Sequence, residues 1–129
     1  FYEPTIFDNI DINDKLMQEE IFGPVVAVTT FNNIKEAIWM LNNTGYGLSS
    51  ALYTNDVNLA FTFLNEAETG MVYVNASTIG AEIQLPFGGI KGTGNGHRDA
   101  GSSMIDNVTE NKSCMIDYSG KVQKAQIDH

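Results

Sequence analysis

Residues 49–76 read SSALYTNDVNLAFTFLNEAETGMVYVNA, and the period of the apolar residues changes twice within them. SSALYT (49–54) reads as a short strand. Asn55 and Asp56 then offer a helix N-cap ahead of residues 57–68, where Val57, Ala60, Phe61 and Leu64 recur at helical spacing. Gly70 stops that helix, and MVYVNA (71–76) is again strand-like. Parallel neighbours need a crossover connection, so strand, helix, strand in this order predicts a parallel βαβ unit.

The same alternation extends upstream. VVAVTTF (25–31) is rich in β-branched residues, and IKEAIWMLNNTGYG (34–47) places Ile34, Ala37, Ile38 and Leu41 on one helical face before Gly45 ends it. FYEPTIF (1–7) predicts a short strand, with Pro4 tolerable only at an edge, and the polar loop DNIDIND follows. Downstream, residues 77–100 form a glycine-rich loop of the length that usually serves a function. A helix over SSMIDNVTE (102–110), a closing strand over KSCMIDYS (112–119) and an extended tail, GKVQKAQIDH, complete the expectation. The fold class is α/β.

Composition narrows the function. A chain of 129 residues with 43% apolar content builds one domain or part of one, burying roughly two-thirds of its unfolded surface. A formal charge of −9 repels phosphate backbones and anionic lipid, which argues against nucleic-acid and membrane partners. The single cysteine, Cys114, cannot form an internal disulfide, no Cys/His spacing suits zinc, and a reducing, cytoplasmic setting is expected. Cys114 itself is expected to be a buried, inert thiol in the closing strand. Beginning at Phe1 and not at methionine, the sequence is read as a fragment or processed piece.

The glycine cluster GTGNG (92–96) imitates a dinucleotide fingerprint, but Gly96 arrives one position early and no strand-to-helix junction surrounds it. A structural glycine loop is the better reading. His97, with no second His or Cys beside it, is read as a loop hydrogen-bonding residue.

Four separated stretches, EEIFGPV (19–25), NNTGYGLSSALYTND (42–56), TGMVYVNA (69–76) and LPFGGIKGTGNGHRDAG (85–101), stand in the order and spacing of another set. Together they resemble the C-terminal part of the NAD(P)-dependent aldehyde dehydrogenase superfamily. The resemblance implies an aldehyde dehydrogenase-type catalytic domain over residues 1–110 and an oligomerisation strand and tail over 111–129. It implies that Glu20 contacts the hydroxyls of the nicotinamide ribose of NAD or NADP and that Phe22 packs near that ribose and ring. A carboxylate accepting two hydroxyl protons fixes geometry through charge-assisted bonds, and an adjacent aromatic excludes water. It further implies an aldehyde-tunnel wall at Ser77, Thr78, Ile79 and Phe87. Asp99 stands where related enzymes often carry Glu, a shortening that weakens any proton-relay role there.

The nucleophilic cysteine, general-base glutamate and dinucleotide-binding domain of that family are implied to lie upstream of EEIFGPV. The chain is therefore expected to hold no catalytic residue, to bind no cofactor alone, and to be inactive alone, while the complete enzyme oxidises an aldehyde to a carboxylate and forms a homo-oligomer. A second reading makes it a non-catalytic remnant acting as an oligomerisation or interaction module.

Overall fold

The computed structural model describes residues 1–121. In chain order the elements are β1 (Thr5–Phe7), α1 (Lys15–Gln18), β2 (Val25–Ala27), α2 (Ile34–Asn42), β3 (Tyr46–Gly47), β4 (Ser49–Leu52), α3 (Val57–Glu66), β5 (Met71–Val74), β6 (Ile90–Lys91) and α4 (Ser103–Val108). They make an α/β arrangement of three two-stranded sheets.

The unit predicted from residues 49–76 is present. β4 and β5 run parallel, with Ser49 opposite Met71 and Leu52 opposite Val74, and α3 supplies the crossover. Asp56 caps α3, its carboxylate accepting the Asn58 N–H at 2.8 Å. β1 and β2 form a second parallel pair, Thr5 opposite Val25 through Phe7 opposite Ala27. Their connection carries the expected polar loop, residues 8–14, and then the one-turn helix α1, capped by Asp14, which the sequence reading did not assign. β3 and β6 are antiparallel, Tyr46 opposite Lys91 and Gly47 opposite Ile90. This pair folds the glycine-rich loop back beside β4.

The core is small. Ile38 of α2 (4% exposed) and Phe63 of α3 (5%) are its buried apolar side chains. Ser50 is also buried, and its hydroxyl is satisfied by Thr69 Oγ1 at 2.7 Å. The expected face of α2 does turn inward, but α3 rotates away from the expected one. Phe63 is buried, whereas Val57, Phe61 and Leu64 are exposed. α3 is apolar on two sides, and its packing on β5 selects the Phe63 side.

Gly70 explains how the loop lies so close. A Cβ there would collide with the Gly88 carbonyl, so only glycine lets the start of β5 touch the loop backbone.

Other expectations are corrected. β2 ends at Ala27, because only Val25–Ala27 finds the ladder offered by the three residues of β1. Residues 112–118 carry no strand, since no neighbouring strand within the described residues offers them a ladder, and Cys114 is consequently exposed and not buried. The tail expected over 120–129 lies mostly outside the described residues. Among the described residues no helix is long and apolar enough to cross a membrane.

Candidate functional site

α1 ends when the Glu19 N–H bonds the Lys15 carbonyl at 2.8 Å, and two tight turns follow. The Gly23 N–H reaches the Ile21 carbonyl at 2.9 Å, and the Val25 N–H reaches that of Gly23 at 2.8 Å. These turns leave Glu20 and Phe22 between α1 and β2, outside any ladder. Both are exposed, Phe22 by 93%.

Glu20 lines a cleft of about 400 Å³ whose other walls are Tyr46, Leu48, Gly92 and Thr93. The β3–β6 pairing builds that far wall. Thr93 Oγ1 accepts the Gly47 N–H at 3.0 Å, and the Gly92 N–H bonds the Gly45 carbonyl at 2.8 Å. Lys15, the nearest cation in sequence, lies 3.9 Å from Glu19. Among the described residues no group hydrogen-bonds or ion-pairs with the Glu20 carboxylate. A carboxylate with no partner of its own offers acceptor oxygens, so it suits a ligand with paired hydroxyl donors. Phe22 does not line this cleft. Among the described residues little covers its ring, leaving an apolar face for a ligand or another segment.

Ser77 and Ile79 line a separate cavity of about 580 Å³ together with Tyr73, Glu82 and Leu85. Thr78 is not among its walls. Asn75 launches this loop from β5 with a left-handed backbone (φ 55°). Its side chain accepts the Thr54 N–H at 2.8 Å and donates to the Thr54 carbonyl at 2.9 Å, clamping the ends of β4 and β5 together. The Tyr73 hydroxyl then donates to the Gly80 carbonyl at 3.0 Å.

Phe87 belongs to a third cleft, of about 470 Å³, with Gly89, His97 and Asp99. Phe87 and Asp99 exchange backbone hydrogen bonds as an isolated antiparallel bridge. This cleft shares Leu48, Gly92 and Thr93 with the one Glu20 lines. The structure thus brings Glu20 and Phe87 to two sides of one glycine-loop wall, groups Ser77 with Ile79 elsewhere, and leaves Phe22 and Thr78 outside these cavities.

His97 serves the loop. Its Nδ1 lies 2.9 Å from Asn107 Oδ1, and Asn107 Nδ2 donates to the Arg98 carbonyl at 2.7 Å, tying α4 to the loop. Among the described residues no cluster of His, Cys, Asp or Glu could hold a metal ion. Tyr46, Leu48 and Thr93 escaped the sequence reading. The signal available was Thr93, the one hydroxyl-bearing residue in Gly92-Thr93-Gly94.

Comparison with known proteins gives this geometry a family. The sequence pattern of the aldehyde dehydrogenase family matches residues 1–114. The chain is 42% identical to "Aldehyde dehydrogenase [NAD(P)+] 2" of Saccharomyces cerevisiae, over 92% of its own length and 23% of that protein. It is 35% identical to alpha-ketoglutaric semialdehyde dehydrogenase of Bacillus subtilis, over 90% of its own length and 24% of that protein. It therefore spans about a quarter of these curated relatives. Among solved structures, aldehyde dehydrogenase 21 of Physcomitrella patens, in complex with the reaction product succinate, superposes with a TM-score of 0.85 at 35% identity, covering 95% of this chain and 25% of that one. An indole-3-acetaldehyde dehydrogenase complexed with NAD+ gives 0.83 at 41% identity, covering 88% and 23%. With the pattern matched across nearly all of the described residues and the fold shared, the chain belongs to the aldehyde dehydrogenase family.

Proposed function

We propose that this chain forms the C-terminal part of an NAD(P)-dependent aldehyde dehydrogenase that oxidises an aldehyde to a carboxylate. Residues 1–110 would complete the catalytic domain, and 111–129 would contribute the subunit contact. The observation that carries the reading is Glu20: an unpaired carboxylate at a cleft beside the glycine loop, in a family whose members include an enzyme named for NAD(P)+ and one solved with NAD+.

The residues fit such a ligand. Glu20 accepts the two hydroxyl protons of the nicotinamide ribose and so fixes the sugar, while Gly92 and Thr93 bound the opposite side of the cleft. Phe22, outside the cleft but two residues from Glu20 and highly exposed, would cover the ribose and ring from the open side and shield them from water. When bound, the nicotinamide accepts the hydride removed from the aldehyde carbon. Ser77 and Ile79 supply the aldehyde-tunnel wall, with Thr78 next to them in the loop and Phe87 facing the neighbouring cleft; apart from the Glu82 carboxylate the lining is apolar or hydroxyl-bearing and suits a small organic substrate.

The test is Glu20→Gln in the complete enzyme. The change keeps the shape and weakens a charge-assisted bond of about 1.5–3 kcal/mol, which converts to roughly one to two orders of magnitude in cofactor affinity or hydride-transfer rate. Unchanged cofactor binding and unchanged single-turnover kinetics would overturn the assignment.

A non-catalytic interaction module is the second reading. It is favoured by Met115, Ile116 and Tyr118, which are 82%, 74% and 92% exposed on a segment without a ladder.

A further inference from the structure

One charged group outside the proposed site is held on several sides. Lys91 ends β6, its side chain is only 22% exposed, and its ammonium lies 2.8 Å from Glu68 Oε2 and donates to the Asn42 carbonyl at 2.6 Å. Asn42 is the last residue of α2, whose final carbonyls carry the negative end of the helix dipole and favour a cation. The two acceptors are themselves braced against each other. Asn42 Oδ1 accepts the Glu68 N–H at 2.8 Å, and Asn42 Nδ2 donates to the Glu66 carbonyl at 2.8 Å. Three segments, the end of α2, the α3–β5 connection and β6, thus meet on one ammonium.

The backbone of Lys91 points to what this meeting does. Its φ of 54° is left-handed, an uncommon conformation for a residue with a long side chain, and such a conformation persists where the surroundings over-determine it. Immediately after it come Gly92 and Thr93, which line both the Glu20 cleft and the Phe87 cleft. The bend at Lys91 directs the Gly92 N–H onto the Gly45 carbonyl and Thr93 Oγ1 onto the Gly47 N–H. Glu68 is about half exposed, so the ion pair contributes little as bulk stability, and its value is geometric.

We propose that Lys91 is a positioning residue for the cleft lined by Glu20: anchored by Glu68 and the Asn42 carbonyl, it holds the Gly92-Thr93 wall at the spacing from Glu20 that the ribose requires. The inference rests on the reading of Glu20 given above, and its experiment separates the two. In the complete enzyme, reduced-cofactor affinity is measured by fluorescence for Lys91→Met, Glu20→Gln and the double variant, alongside the KM for aldehyde. Positioning predicts that Lys91→Met weakens the cofactor roughly three- to thirtyfold, leaves the aldehyde KM unmoved, and adds nothing to Glu20→Gln, because the two act on one contact. Lys91→Arg, which keeps the cation, restores most of the loss. Additive losses, or an equal rise in the aldehyde KM, would reduce Lys91 to a general stabiliser.

Should Lys91→Met fail to fold, Glu68→Gln loosens the same anchor from its exposed side and is expected to shift cofactor affinity in the same direction; no shift overturns the proposal. If Glu20→Gln binds cofactor like the wild type, the reading of the cleft has failed, and amide exchange decides about Lys91 alone. Faster exchange at Gly47 and Gly92 in Lys91→Met supports the anchor, and unchanged exchange overturns it.

Discussion

Cys114 is exposed, where the apolar residues around it argued for burial. The alternation of Cys114, Ile116 and Tyr118 is strand-like, but a strand buries a face only when a second strand stands beside it. Exposure alone does not make a nucleophile. A catalytic thiol needs a base or a cationic setting that favours the thiolate, together with donors for the developing oxyanion. None of the hydrogen bonds or ion pairs among the described residues involves Cys114. The isolated chain is therefore expected to react with an alkylating reagent under native conditions, yet to show no aldehyde oxidation with NAD or NADP before or after the treatment. Turnover above a protein-free blank that alkylation abolishes would give Cys114 the catalytic role denied to it here. Glu20 shows the opposite case of legibility. The role proposed for it rests on the resemblance carried by EEIFGPV, since an exposed acid after a one-turn helix has no periodicity to mark it. Its neighbours Tyr46 and Leu48 were invisible, and Thr93 could be marked only by its hydroxyl between two glycines, because β3 and β6 pair across more than forty positions of chain, with Tyr46 opposite Lys91.

Local signals decided the elements more reliably than their packing. α2 begins where Asn33 accepts the Glu36 N–H at 3.0 Å, and the Glu36 carboxylate turns back to accept the Asn32 N–H at 2.6 Å and Asn32 Nδ2 at 2.8 Å. This is a reciprocal cap of the kind that fixes a helix start. The face of α3 was misread because two apolar stripes share one helix, and β2 was overestimated because a strand extends only as far as its partner. The cap also predicts a pH dependence. The bond from the Asn32 backbone N–H, followed by that from its side chain, holds the Glu36 carboxyl below its ordinary value of 4.5. A carboxylate whose folded pKa is depressed contributes stability that is full above the unfolded value and is lost as pH falls through the folded one. At neutral pH the wild type should accordingly resist denaturant better than Glu36→Gln, and the difference should close as the pH drops well below 4.5. A gap that stays constant through that range would show that the ionised form contributes nothing to the cap.

The chain presents 10551 Å² of accessible surface. A self-contained domain of this size exposes about 6,700 Å², so close to half of the unfolded surface is buried instead of the roughly two-thirds expected. The excess is apolar in several places. Val57 and Phe61 on the outer face of α3 are each 62% exposed, Ile6 and Val26 on the β1–β2 pair are 74% and 57% exposed, and Phe22 is 93% exposed. Two-stranded sheets also leave unpaired edges, and parallel strands are usually covered on both faces. Such surface drives association. The segment 112–118 is the best placed to pair, because Met115, Ile116 and Tyr118 are exposed and its backbone is outside every ladder. The isolated chain is therefore expected to sediment as a dimer or larger species at micromolar concentration, with this segment at the contact. Ile116→Lys places a charge among those apolar side chains, where an unpaired ammonium is costly to desolvate, and should shift the distribution toward monomer. The substituted residue makes no packing contact that the fold of a single chain depends on, since Ile116 is 74% exposed, so circular dichroism should stay unchanged while the sedimentation coefficient falls. A wild-type chain that is a monomer would overturn the association itself, and an assembly indifferent to Ile116→Lys would move the contact to the outer face of α3 or the β1–β2 edge and remove the terminal segment from it.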